Sequence, residues 1–332
     1  MTVDQIFKAL AGQQEVLVIM HNDPDPDAIA SAVGLGYMLE KAEGIDVHIA
    51  YRGVIGRAEN RALSKYIGAH FIKLDEDLLE AEKPIALVDT QPGAGNQPLP
   101  PNLTPEIVVD HHSLREETSL ASYADVRPEI GATSSIILEY LRATNLRLPK
   151  KIATALFYGI KTDTRGLVRS TSPLDVDAYF YLQSRIDIPA LIKIESAQVP
   201  ADYFKSYARA LSAARVYGDV LLLYIGRMEY PDLGAEIADL LMRLEGTKWV
   251  ICAGVYQKEL ILSLRSRATR LGAGLLAREI VGSLGEAGGH GNMAAGHISL
   301  NDADPQKLVD ELFFKALIIV KGRKISEGTP LI

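Results

Sequence analysis

Residues 16–28 read VLVIMHNDPDPDA: five apolar residues run straight into one histidine and three aspartates at alternate positions. Val16 to Met20 has no polar alternation, which is how a strand covered on both faces of a parallel sheet reads. Ala28 to Leu39 then carries apolar residues at helical spacing. An Asp and Pro run standing alone would be a solvated turn. Here the turn joins the end of a buried strand to the start of a helix, which is where open α/β sheets hold their ligands. Carboxylates this close repel by roughly 4 kcal/mol per pair at an effective dielectric near 20, so something positive must compensate them. An EF-hand does not fit: counted from Asp23, the required glycine is Ala28 and the bidentate glutamate is Gly34. A mixed imidazole and carboxylate set suits an ion such as Mn2+ better than a structural zinc site, which usually takes thiolates.

The chain has 332 residues, 48% of them hydrophobic, enough for two domains with sizeable cores. No apolar stretch reaches the length of a membrane span, and the N-terminus MTVDQIFKALAG lacks the pattern of an export signal. The single cysteine, Cys252 in VICAGV, reads as a buried strand residue. No disulfide framework can form within the chain, which fits a reducing compartment and a cytoplasmic protein. A net charge of -7 argues against coating long nucleic acid, because phosphate neutralisation drives such binding. A small anionic substrate held by a few local cations is compatible with it.

Strand-like runs recur near 16–20, 46–51, 84–88 and 106–109 between helical patterns, predicting an α/β fold with a mainly parallel sheet. Gly93-Ala94-Gly95 lacks the third glycine of a dinucleotide fingerprint, and Pro98 stands where its helix would open, so it reads as an ordinary loop. Helices are expected over 133–145, with Thr133 as N-cap, over 150–162 and over 173–185. The pattern restarts near 216, with paired strands in KWVICAGVY and ELILSLRSR. The expected organisation is a domain over 1–185, a helical connector over 186–214 and a smaller α/β domain over 215–332, with a cleft between the domains.

Further acidic points fall at element ends. Asp89 follows Ile85 to Val88, Asp110 follows Ile107 to Val109 and leads into His111 and His112, and Asp163 follows the helix over 150–162. Parallel strands bring their C-terminal ends to one edge, so these groups can converge with the first cluster.

HNDPDPDA, Asp89-Thr90, Asp110-His111-His112 and the TDT around Asp163 resemble, in order, the four motifs of the DHH phosphoesterase superfamily. LSLRSR at 262–267 and AGGHGNMAAGH at 287–297 are similar to its C-terminal DHH-associated domain. The resemblance implies two Mn2+ ions, with Co2+ or Mg2+ as substitutes. His21 and Asp25 would hold one ion, Asp27, His111 and Asp163 the other, and Asp89 would bridge them. It further implies that Asp110 orients His111 and that His112 faces the scissile phosphate as proton donor or electrostatic partner. Asp23 has no ligand role in that pattern and reads as a turn residue. Two such ions would lower the pKa of a shared water and stabilise both oxygens of an in-line displacement, with a metal-bridging hydroxide as nucleophile.

In the second domain Arg265 and Arg267 alternate along a predicted strand and so point the same way. With Gly288, Gly289 and His290, whose backbone resembles an anion-binding nest, they are the implied contacts to the substrate's terminal phosphate or nucleotide. Two departures bear on substrate choice. The triple glycine of the resemblance is Ala287-Gly288-Gly289 here, and Asp163 is followed by Thr164-Arg165-Gly166 instead of Gly-Arg-Phe. Arg165 stands as a further candidate phosphate contact. His48 and His70 read as structural. The expected substrates are short oligoribonucleotides or 3'-phosphoadenosine 5'-phosphate. The alternatives are a cyclic dinucleotide, polyphosphate or pyrophosphate, or a nucleotide-binding regulatory module without turnover. No membrane or long nucleic-acid partner is expected, and a homodimer is compatible with the sequence.

Overall fold

A computed structural model gives the fold, described for residues 3–80, 83–169, 171–268, 271–301, 303–322 and 327–332. The chain divides into two compact units, Met1–Ala197 and Gln198–Ile332.

The first unit runs α1 Val3–Ala9, β1 Glu15–Met20, α2 Pro26–Glu43, β2 Asp46–Tyr51, α3 Ala58–Ile67, β3 Phe71–Lys73, α4 Glu76–Glu80, β4 Ile85–Val88, β5 Ile107–Asp110, β6 Tyr123–Val126, α5 Thr133–Ala143, α6 Lys150–Asp163, α7 Pro173–Gln183 and α8 Ile188–Glu195. Its six strands lie in the order β3-β2-β1-β4-β5-β6, all paired in parallel. From β1 the chain winds outward through β2 and β3; from β4 it winds the other way through β5 and β6. The β1/β4 boundary is therefore the point where the winding reverses, and there the strand ends open a crevice. Alternate residues of β1 serve opposite faces of the sheet. Val16, Val18 and Met20 join α2, α5 and α6 in one core, whereas Leu17 and Ile19 join Leu74, Leu79, Leu87 and Val108 in the other. That double burial is why the run lacks polar alternation. The short strands β3 and β6 carry too few apolar residues to stand out in the sequence.

The second unit contains α9 Ala201–Ala213, β7 Arg215–Tyr217, β8 Val220–Arg227, α10 Leu233–Leu241, β9 Trp249–Tyr256, β10 Glu259–Ser266, α11 Ala273–Val281, β11 Glu286–His290, β12 Met293–Ser299, α12 Pro305–Lys321 and β13 Thr329–Pro330. Its seven strands lie in the order β11-β12-β10-β9-β8-β7-β13, with only β8 and β9 parallel. One face packs on α11 and α12, the other on α9 and α10. Cys252 is fully buried in β9. The segment 186–214, expected as one connector, is two helices that fall in different units: α8 packs with the first core and α9 with the second. Among the described residues no helix is long and apolar enough to cross a membrane.

Candidate metal centre

The register of β1 and β4 puts Met20 opposite Val88, so His21 and Asp89 leave the sheet side by side. Asp25 is the N-cap of α2, its Oδ1 accepting the N–H of Asp27 (2.9 Å) and of Ala28 (3.0 Å), with Pro26 inside the first turn. The alternation in DPDPD thus has a local cause: Asp caps, Pro starts the helix, and Asp27 is carried inward, fully buried. Asp23 turns its backbone at φ +54°, and its carboxylate accepts the Val54 N–H at 2.7 Å.

His21 Nδ1 lies 2.7 Å from the Asn22 carbonyl, which points Nε2 to Asp25 Oδ1 at 3.7 Å and Asp89 Oδ2 at 3.6 Å. His111 Nδ1 lies 3.2 Å from the Ile130 carbonyl, and its Nε2 faces Asp89 Oδ1 at 3.5 Å and Asp163 Oδ2 at 3.4 Å. Asp27, His111 and Asp163 form a second donor group whose ligand atoms lie within 4.8 Å of one another, as do those of His21, Asp25 and Asp89. The two oxygens of Asp89 therefore look into two different pockets of ligands. Asp89 adopts φ +58°, a left-handed conformation costly for a residue with a Cβ and found where a site imposes it.

The donor set fits divalent cations. His111 Nε2 is buried and makes no hydrogen bond among the described residues, a cost that a cation between it and the neighbouring carboxylates would remove. Burial raises Asp27 to about 7, helped by the charges of Asp163 and Asp25. Burial, with Asp27 and Asp25, pushes Asp89 well above the carboxylate range. At His111 burial favours the neutral ring, but the Asp163, Asp89 and Asp27 carboxylates outweigh it and raise the imidazole well above its ordinary value. Burial also opposes ionisation of Asp25, yet His21 and the Ala28 N–H hold it low. These are carboxylates crowded beyond what protein cations relieve.

Asp110 corrects one expectation. Its Oδ1 lies 2.8 Å from His112 Nδ1 and accepts the backbone N–H of His111 at 2.7 Å and of His112 at 3.2 Å; from His111 it meets the backbone and not the ring. It therefore orients His112, and the His111 ring is oriented by Ile130. The reason is local: Asp110 Oδ1 faces His112 Nδ1, its Oδ2 accepts from Gln91, and His111 Nδ1 is turned to the Ile130 carbonyl. Burial raises the Asp110 pKa, but His112, His111 and Gln91 prevail and lower it. Gln91 donates to Asp110 Oδ2 at 2.7 Å while its Oε1 accepts from Thr118 Oγ1 and the Arg115 N–H. Asp89, His111 and His112 also form a third donor group, but the Asp110 contact occupies His112 Nδ1.

Residues 130–134 support both halves, a role the sequence did not signal beyond a helix start at Thr133. Thr133 N donates to Asp27 Oδ2 (2.7 Å), Ser134 N to Asp27 Oδ1 (2.9 Å), and Thr133 Oγ1 to Asp89 Oδ1 (2.8 Å). Asp27 thus sits on the N-terminus of α5, where unpaired N–H groups and the helix dipole favour an anion. Thr133, expected as N-cap, is the first helical residue; Ala132 is the cap, and the Thr133 hydroxyl is spent on Asp89. Gly159 of α6 leaves the room, since a Cβ there would meet Ser134 Oγ at 2.5 Å and Asp27 Oδ1 at 3.0 Å. Buried Asp175, at the start of α7, accepts from Gly131 N (2.7 Å), Ser135 Oγ (2.6 Å) and Ser172 N (2.8 Å), anchoring the segment.

In the second unit Arg265 and Arg267 do not share a surface. Arg265 is buried and donates to Asp239 at 2.7 Å through Nε, as a buried guanidinium must. Arg267 lies past the end of β10 and is exposed. The expected nest at Gly288, Gly289 and His290 is edge strand β11, paired only with β12; the side chain of His290 lies outside the described residues. Arg165, beyond Asp163, takes φ +50°.

The chain is 36% identical over 323 residues to an uncharacterised protein of Methanocaldococcus jannaschii, covering 94% of this chain and 65% of that one. It is 31% identical over 161 residues to a probable manganese-dependent inorganic pyrophosphatase of Streptococcus pyogenes, covering 48% of this chain and 51% of that one. The chain thus spans less than two thirds of either relative. An exopolyphosphatase-related protein from Bacteroides fragilis shares the fold with a TM-score of 0.72 at 18% identity, covering 96% of both chains. RecJ from Thermus thermophilus, solved in complex with Mn2+, matches with a TM-score of 0.51 at 15% identity, over 98% of this chain and 55% of that one. Residues 15–160, which carry every group of the cluster except Asp163, match the N-terminal domain of the DHH family.

Proposed function

We propose that this chain is a hydrolase of phosphoester bonds that works with two divalent cations, Mn2+ foremost and Co2+ or Mg2+ as substitutes. Its proposed substrates are short oligoribonucleotides or 3'-phosphoadenosine 5'-phosphate. The observation that carries the reading is Asp89, whose Oδ2 faces His21 at 3.6 Å and whose Oδ1 faces His111 at 3.5 Å. A carboxylate placed so is built to be shared. His21 and Asp25 would complete one cation site; Asp27, His111 and Asp163 would complete the other. When bound, the pair supplies an acidified water and positive charge around the phosphoryl oxygens.

The remaining chemistry falls to the chain's own residues. His112 is the more exposed histidine of the adjacent pair, at 36% of its side chain against 10% for His111. Asp110 takes its Nδ1, which assigns proton exchange with the leaving oxygen to Nε2. Asp110 lies below the ordinary carboxylate range, so it stays charged and holds the His112 ring through Nδ1. A second reading, cleavage of pyrophosphate or polyphosphate, draws support from the Streptococcus pyogenes relative.

Release of product from a ribodinucleotide, 3'-phosphoadenosine 5'-phosphate, cyclic di-AMP, polyphosphate and pyrophosphate with Mn2+ present tests the proposal, with Asp89→Ala as control. Turnover that disappears in the control supports it and names the substrate. A protein that binds two Mn2+ and cleaves none of them would be a binding module, and the proposal would be wrong.

A further inference from the structure

Beside the metal cluster, the same edge of the first sheet carries a second feature. A hollow of about 490 Å3 opens where β2 and β3 end, walled by Tyr51, Val54, Arg61, Lys65 and Lys73. Among the described residues no carboxylate lines it, although the chain as a whole carries a net charge of -7. Arg61 and Lys65 are four residues apart on α3 and so share a helix face. Lys73 is held at the rim, its Nζ donating to the Gly53 carbonyl at 2.7 Å and lying 5.7 Å from the centre of the Tyr51 ring. All three cations are exposed.

The hollow is fastened to the metal centre by the aspartate that has no place among the ligands. Val54 lines the hollow and donates its N–H to Asp23 Oδ1 at 2.7 Å; Asp23 N in turn donates to the Arg52 carbonyl at 3.0 Å. β2 neighbours β1, which leads into His21. With strands about 4.8 Å apart, the hollow begins on the order of 5–10 Å along the edge from the cluster.

We infer that this hollow holds the part of a chain-like polyanion that lies beyond the bond being cleaved. Arg61, Lys65 and Lys73 pair with successive phosphates, and Tyr51 offers a flat apolar wall. The inference rests on the phosphoesterase reading and narrows its substrate to a chain of several phosphate-linked units. Two chains share that chemistry, an oligonucleotide and linear polyphosphate.

Equilibrium binding of a fluorescein-labelled pentanucleotide with phosphorothioate linkages, in Mn2+ and over a range of salt, tests it, with linear polyphosphate as competitor. Each neutralised phosphate of a single strand contributes about 0.7 to the slope of log Kd against log salt. Lys65→Ala with Lys73→Ala should therefore weaken binding and lower that slope by about 1.4; Lys65→Arg with Lys73→Arg should preserve both. If polyphosphate competition weakens in parallel in the alanine variant, the hollow reads phosphates alone. If competition is unaffected, its occupant is the nucleotide chain. Unchanged affinity and slope in the alanine variant overturn the inference whatever the turnover of the wild type, as does failure of both chains to bind the wild type. Loss of turnover with chain binding intact would count against the phosphoesterase reading alone.

Discussion

On the proposed reading, Asp89 and His112 separate holding a metal from moving a proton. Asp89 is fully buried, and each of its oxygens faces a different histidine, so Asp89→Asn removes charge from both cation sites at once. Bound Mn2+ should fall below two per chain, with affinity down by at least about a hundredfold, the upper range for disturbing even an outer partner of a ligand. Metal analysis after gel filtration reads it directly, and two tightly held ions in the variant would refute the sharing. His112 is held by Asp110 through Nδ1, so His112→Gln should leave two Mn2+ bound while turnover drops by about 10²- to 10⁴-fold, the usual contribution of a positioned acid. Loss of a metal ion in that variant would instead make His112 a ligand.

Among the helices, α5, α6 and α7 hold the cluster through contacts that sequence reading could not supply. The candidate ligands were legible because each lies at or near an end of a strand or helix, where a polar cluster beside an apolar run stands out. The support given by Gly159, Thr133, Ser134 and Asp175 was not, because it goes to residues distant in the chain; locally, Thr133 reads only as a helix start and Asp175 only as the partner of Ser172 in a capping box. The assignment of Asp110 to His111 failed for a related reason: adjacency in sequence does not say which of two neighbouring rings a carboxylate meets. The burial of Arg265 was not legible because strand alternation gives the face of a residue but not whether that face is buried. Two glycines test the packing. A Cβ on Gly159 would press on Asp27 and Ser134, whereas one on Gly34 of α2 would press on Ile137 at 2.7 Å, among apolar side chains. Both alanine variants should lose about 1–3 kcal/mol to overpacking, partly offset by about 1 kcal/mol of helix propensity. Only Gly159→Ala should also weaken Mn2+ binding, and equal Mn2+ titrations for the two would sink this account. Asp175→Asn keeps one acceptor oxygen but loosens the 130–134 segment; Mn2+ affinity should fall about 10- to 100-fold, which calorimetric titration can follow.

For the whole molecule, the crowded carboxylates set how stability depends on acidity. Asp27, raised to about 7, and Asp89, raised by the same burial, hold protons in the folded chain that the unfolded chain has released. As pH rises from about 4 towards 7 the unfolded state therefore binds fewer protons than the folded one, and stability falls. His111 acts in the same direction: raised above its ordinary value, it stabilises below the unfolded pKa of about 6.5 and loses that contribution as pH climbs through its folded value. Asp25 and Asp110 are lowered; their contribution is present above about 4 and disappears only in stronger acid. Without metal, these groups favour a maximum between about pH 4 and 6, with stability declining towards pH 8. A divalent cation reverses the decline, because it replaces the protons on Asp27, Asp89 and His111 and competes with them less as pH rises. At a hundred times its Kd one bound ion adds about 2.7 kcal/mol, roughly 5–11 °C in Tm for a unit of this size. Thermal unfolding in EDTA should show a lower Tm at pH 8 than at pH 5.5, and added Mn2+ should raise Tm more at pH 8 than at pH 5.5. A Tm in EDTA that rises between those two values, or an Mn2+ increment independent of pH, would mean that the cluster does not carry its protons as the geometry requires.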